Sequence, residues 1–161
     1  MTVEFSDKAK EKFDHLLTRY PNKRAALLPV LHLAQAEFGG WVSPEAIKYI
    51  AELLDLTELD VHDTMSFYTM YYNQPMGKFV VEVCHTLSCE LMGASTVVDH
   101  LENKLGIKMG ETSDDGLFSL RKGECLGSCG TAPMMRVNFD YYENLNADKL
   151  DKIIDLLREK A

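Results

Sequence analysis

Along the first 65 positions the apolar residues recur at helical spacing. Ala9, Phe13, Leu16, Leu17 and Tyr20 follow Ser6-Asp7 three or four residues apart, which predicts a helix ended by Pro21. A second helix is expected from about Asn22, with Leu27, Leu31, Ala34 and Phe38 on one face and Gly39-Gly40 as its stop. Pro29 either kinks it or marks its effective start, because a proline lacks the N–H that a helix interior needs. Ser43-Pro44 is an N-cap followed by the residue favoured at the first helical position, and Ile47, Ile50, Ala51 and Leu54 form the stripe of a third helix. Thr57 is expected to cap a short fourth one carrying Val61 and Met65. Stripes of this kind need partner faces, so the segment reads as a small helical bundle.

After the turn signal Asn73-Gln74-Pro75-Met76-Gly77 the period changes to two. Phe79, Val81 and Val83 alternate with Val80 and Glu82, a strand running into Cys84. From about Glu90, the residues Leu91, Ala94, Val98, Leu101 and Leu105 fit a helix that stops at Gly106. Asp114-Asp115-Gly116 is a turn, Leu117 to Leu120 a short strand leading to Cys125, and Met134 to Phe139 a further strand. Asn146 caps a last helix with Leu150, Ile153, Ile154 and Leu157. The fold class is therefore α/β: a helical bundle over residues 1–77, then a small sheet with helices packed on it over residues 78–161.

Composition narrows the function. A chain of 161 residues that is 46% apolar and 26% charged is an ordinary globular composition, which argues against disorder, collagen and coiled coil. The net charge of −8 is spread over both halves, and Arg121-Lys122 and Lys23-Arg24 are the longest basic runs, so no nucleic acid partner is expected. No apolar run approaches the roughly 20 residues that span a bilayer, and the start Met-Thr-Val-Glu-Phe-Ser-Asp lacks the charged and apolar regions of a signal peptide. A soluble, intracellular protein without direct membrane insertion is expected. In a reducing compartment, paired cysteines point to metal or redox chemistry ahead of disulfides.

The cysteines are Cys84, Cys89, Cys125 and Cys129, arranged as C-x4-C and C-x3-C, each pair following a predicted strand. Loops leaving the same edge of a sheet bring four sulfurs together, as a four-thiolate site requires. Thr86, Ser88, Gly127, Ser128 and Gly130 keep those loops small, so that backbone N–H groups approach an anionic iron–sulfur centre. Zinc held by four thiolates remains open, although the usual C-x2-C knuckle is absent. A disulfide framework, four unrelated buried cysteines, and a Rieske-type centre using His85 are further alternatives. No G-x-G-x-x-G follows a strand and no G-x-x-x-x-G-K-[ST] occurs, so a nucleotide-binding dehydrogenase is not expected in this chain.

Glu82-Val83-Cys84-His85-Thr86-Leu87-Ser88-Cys89 and Gly123-Glu124-Cys125-Leu126-Gly127-Ser128-Cys129-Gly130-Thr131-Ala132-Pro133 resemble the paired motifs of the 24 kDa subunit family of NADH:quinone oxidoreductase, known in bacterial complex I as the E subunit. The likeness extends over nearly the whole chain, including Tyr20-Pro21 to Trp41, Phe67-Tyr68 and Tyr141-Tyr142-Glu143-Asn144-Leu145. The resemblance implies a thioredoxin-like [2Fe-2S] ferredoxin domain with Cys84, Cys89, Cys125 and Cys129 as ligands, and a cis peptide at Pro133. It implies an electron-transfer subunit that exchanges single electrons with the FMN of a partner flavoprotein, the F subunit, which also holds the NADH site and a [4Fe-4S] cluster. The place implied is the cytoplasmic, peripheral arm of an inner-membrane complex, with no NADH oxidation by this chain alone. Diaphorase subunits of NAD-linked hydrogenases and formate dehydrogenases are similar, and a zinc-stapled scaffold is the alternative of another class. The bundle is expected to dock the partner through the cluster of Met65, Phe67, Tyr68, Met70, Tyr71, Tyr72 and Met76, or else to use those residues as internal packing.

Overall fold

The structure is a computed structural model and describes residues 3–161. The chain divides into two compact units, one ending at Pro75 and the other running Met76–Ala161. The first is helical: α1 (Asp7–Thr18), α2 (Leu27–Glu37), α3 (Pro44–Leu54) and α4 (Glu58–Phe67). Local chemistry sets the starts. Ser6 Oγ accepts from the Ala9 N–H, Ser43 Oγ accepts from the Ala46 N–H, and Thr57 and Asp60 form a reciprocal capping box. Where one helix from Asn22 is expected, a turn of 3-10 helix at Arg24–Ala26 precedes α2. Pro29 is thus in the first turn of α2, where an N–H has no helical partner, and it marks the start without kinking the helix.

Phe5, Phe13, Val30, Leu31, Ile50, Leu54, Val61 and Met65 fill the core of this unit. Phe5 stacks on Phe38 with ring centres 5.4 Å apart and meets Tyr49 edge-on at 5.3 Å. Tyr20 lies beyond the end of α1 and stays at the surface, so it does not extend that helix's buried stripe. The aromatic run after Met65 divides in two. Tyr71 is buried and its hydroxyl donates to the Leu28 carbonyl at 2.8 Å, whereas Phe67 is 77% exposed and Tyr68 and Met70 are also at the surface.

The second unit contains β1 (Phe79–Cys84), α5 (Leu87–Leu91), α6 (Ala94–Leu105), β2 (Phe118–Gly123), β3 (Met135–Val137), β4 (Asp140–Tyr142) and α7 (Ala147–Glu159). The sheet order is β2-β1-β3-β4. β1 runs parallel to β2, the pairing that a helical crossover permits, and antiparallel to β3, which pairs antiparallel with β4. Phe79, Val81 and Val83 share a core with Phe118, Leu120, Met135 and Val137, with Val97, Leu101 and Leu105 of α6, and with Leu150, Ile154 and Leu157 of α7. By alternation, Val80, Glu82 and Cys84 face the other side of the sheet, and they too are buried. Gly77 admits the chain to β1: a Cβ there would fall 2.7 Å from the Phe118 carbonyl carbon, and the Gly77 N–H donates to Ser119 Oγ at 2.7 Å.

Two expected elements are redrawn. The single helix from Glu90 is instead two, because Gly93 takes a φ of 98° and restarts the chain as α6. Leu91 consequently belongs to α5 and is 77% exposed, while Val97 supplies the buried position beside the half-buried Val98. The strand expected to reach Phe139 ends at Val137. Asn138, at a φ of 54°, reverses the chain, and Val137 pairs with Asp140 in a hairpin whose second arm is β4.

Candidate metal centre

Cys84 is the last residue of β1, opposite Gly123 of β2, and its N–H donates to the Met134 carbonyl at 3.2 Å. Two residues on, Thr86 opens α5, which carries Cys89. Both thiols are buried in one small cluster with Ala94, Ala132 and Met134. Burial opposes ionisation of Cys84, but the Thr86 hydroxyl at 3.3 Å, the N–H groups of Leu126 and Thr86, and the Cys89 thiol outweigh it, so the Cys84 thiol sits below its ordinary range. Burial raises Cys89. The hydrogen bond and negative charge of Cys84, and the charge of Cys129, add to that rise against an opposing contact from the Met134 N–H.

Leu126 connects the two cysteine loops, since from the position next to Cys125 it packs against the buried cluster that holds Cys84 and Cys89. Cys125 and Cys129 are exposed. Gly127 bends their loop at a φ of 81°, and Cys129 begins a 3-10 turn, Cys129–Thr131. The Glu143 carboxylate anchors this loop, accepting hydrogen bonds from Ser128 Oγ and, at 2.8 Å, from Thr131 Oγ1. Those hydroxyls hold the Glu143 carboxyl below the usual carboxylate range. The Asn144 N–H also donates to the Thr131 carbonyl at 2.7 Å. Ala132-Pro133 is cis, as expected, and the next residue, Met134, shares the buried cluster of Cys84 and Cys89. Three apolar side chains beside the first loop, Leu87, Leu91 and Met92, are exposed.

Among the described residues no three His, Cys, Asp or Glu side chains gather as a ligand set for one ion. A [2Fe-2S] cluster asks for two thiolates on each of two irons, a different demand from the four-around-one geometry of structural zinc. The donor set fits an anionic cluster: paired thiols lie among backbone N–H groups and a hydroxyl. His85 lines a cleft of about 340 Å³ with Glu90, Ser95, Asp99 and Lys122. Glu143 and the donors Thr86, Leu126 and Met134 complete the site. Backbone donors leave no mark in residue identity, and Glu143 lies 14 positions beyond Cys129, so spacing alone does not select it.

The family model described as thioredoxin-like [2Fe-2S] ferredoxin matches residues 13–158. The E subunit of NADH-quinone oxidoreductase from Rickettsia conorii is 40% identical over 156 residues, covering 96% of this chain and 93% of the relative. The E 2 subunit of NADH-quinone oxidoreductase from Rhizobium meliloti is 38% identical over 149 residues, covering 92% and 88%. Among solved structures, the NAD+-reducing [NiFe]-hydrogenase in its air-oxidized state superposes with a TM-score of 0.72 at 20% identity, a likeness of fold that covers 83% of this chain and 23% of the hydrogenase chain. No described helix is long and apolar enough to cross a membrane.

Proposed function

This chain belongs to the thioredoxin-like [2Fe-2S] ferredoxin family, and from that premise we propose that it is the electron-carrying E subunit of an NADH-quinone oxidoreductase, with Cys84, Cys89, Cys125 and Cys129 as the ligands of one [2Fe-2S] cluster. The observation that carries this reading is the convergence of the two cysteine loops, in which Leu126 of one packs against the buried cluster that holds Cys84 and Cys89 of the other. When bound, such a cluster supplies a one-electron couple.

The chain's own residues position that couple and shield part of it. Cys84 and Cys89 anchor it from the buried side, where Thr86, Leu126 and Met134 present hydrogen-bond donors to sulfur. Glu143 holds the loop of the exposed pair through Ser128 and Thr131. Exposure of Cys125 and Cys129 leaves one side at the surface, and Leu87, Leu91 and Met92 give a rim there that suits a protein partner. That partner is the flavoprotein, the F subunit, whose FMN exchanges single electrons with this site and which brings the NADH site and a [4Fe-4S] cluster. The helical unit docks the complex through Phe67, Tyr68 and Met70, and the assembly lies in the peripheral, cytoplasmic arm. Relatives near 40% identity favour the quinone-linked complex over an NAD-linked hydrogenase or formate dehydrogenase.

The test is purification of the chain with its native metal, analysis for iron and acid-labile sulfide, and EPR after reduction. Two iron and two sulfide per chain with a reduced-state signal are expected. One zinc, or NADH oxidation by the flavin-free chain, overturns the reading.

A further inference from the structure

Glu82 precedes Cys84 by two residues on β1, so both side chains project from the same face, about 6.7 Å apart along the strand. It is 5% exposed, and the Arg136 guanidinium of β3 grips its carboxylate through Nε and Nη2. Register places Arg121 of β2 opposite Glu82 on its other side, giving the cross-strand row Arg121, Glu82, Arg136. The next row toward the site is formed by Gly123 and Cys84. A Cβ at Gly123 would lie 3.5 Å from Glu82 Cβ and 3.6 Å from Leu126 Cδ1, so Glu82 and Leu126 both crowd the residue opposite Cys84. The row carries two cations and one anion on three adjacent strands, with the central carboxylate buried and Arg136 partly so, which weakens solvent screening between them.

We infer that the Glu82–Arg136 pair sets the reduction potential of the centre held at Cys84, with Arg136 favouring the added electron and Glu82 opposing it. This rests on the proposed cluster. A buried ion pair contributes little net stability compared with an apolar pair of the same volume, so its place beside a redox site is better accounted for by the field it makes there. At an effective dielectric of about 30, a unit charge roughly 7 Å away changes the reduced-to-oxidised ratio on the order of tenfold, about 59 mV for one electron.

The experiment is an EPR-monitored redox titration of the cluster-loaded full chain at fixed pH. Glu82→Gln is expected to raise the potential by about that tenfold ratio, and Arg136→Gln to lower it. The double variant, which keeps two hydrogen-bonding side chains and removes both charges, is expected close to the unmodified protein. Loss of packing alone would move both single variants in the same direction. Should Arg136→Gln fail to load, Glu82→Gln titrating above the double variant is the decisive comparison. Shifts of the same sign, or potentials unchanged in every loaded variant, overturn the inference while leaving the cluster reading intact. An unmodified chain that has no reduced-state EPR signal overturns both.

Discussion

Thr86→Val removes one hydroxyl with almost no change in shape. In the structure Thr86 Oγ1 lies 3.3 Å from Cys84 Sγ. A thiolate has no proton to give, so when Cys84 serves as a ligand the hydroxyl must donate. The donated bond stabilises sulfur more as sulfur becomes more negative, and its loss therefore disfavours reduction. A hydrogen bond to a charged group contributes about 1.5 kcal/mol in full. The added electron is shared among several sulfurs, so the difference between redox states is roughly a quarter to a half of that, about 0.4–0.8 kcal/mol. The expected potential falls by about 20–35 mV, a twofold to fourfold change in the reduced-to-oxidised ratio. Redox titration followed by EPR measures it, and Thr86→Ser, which retains the donor, should titrate with the unmodified protein. A Thr86→Val potential that stays put or rises would refute the hydrogen-bond argument.

Replacing any one of Cys84, Cys89, Cys125 or Cys129 by serine should reduce iron and sulfide content together, and a variant with full content and an unchanged EPR spectrum is not missing a ligand. Leu101→Ala opens a cavity in a fully buried position of the sheet core and should destabilise the second unit by about 2–5 kcal/mol in urea unfolding. Ser43→Ala removes the α3 cap and should cost about 1 kcal/mol in the helical unit without altering the EPR spectrum. Hydrogen bonds from His100 and Lys104 hold the Asp151 carboxyl below its ordinary range. A depressed carboxylate pKa stabilises the fold above the unfolded-state value and ceases to do so as pH falls through the folded-state value. Asp151→Asn should therefore lower the urea midpoint at pH 7, with the penalty fading below about pH 4.

The helices of the first unit were legible because each carries its own start signal beside its apolar stripe. Ser6, Ser43 and Thr57 act on backbone groups within the next three residues, so sequence distance and spatial distance coincide. Leu91 misled for a related reason. Its spacing to Ala94 and Leu101 fits a helix, but the left-handed turn at Gly93 lies between them, and a periodicity argument assumes no such break. The β3–β4 hairpin escaped notice because its turn uses Asn138-Phe139 in place of the Asn-Gly signal, and Phe139 prolongs the apolar run of β3 although it is exposed.

At the site, the sulfurs and their environment were legible to different degrees. Four cysteines in two close pairs are visible in residue identity, whereas the groups that tune them come from register. Glu82 and Arg136 are 54 positions apart and meet only because β1 and β3 align Val81 with Val137 and Val83 with Met135. A slip of one residue would turn Glu82 and Cys84 toward the core that holds Leu101 and Ile154, away from the Arg136 guanidinium. The pair consequently does two jobs that a substitution separates. Its hydrogen bonds favour the observed register, and glutamines at both positions retain that capacity in part, while its charges act on Cys84 and vanish in the same double variant. Stability and reduction potential should therefore part company along the series from Arg136→Gln to the double variant, which is the behaviour of a charge placed for redox chemistry on a sheet that hydrophobic alternation already aligns.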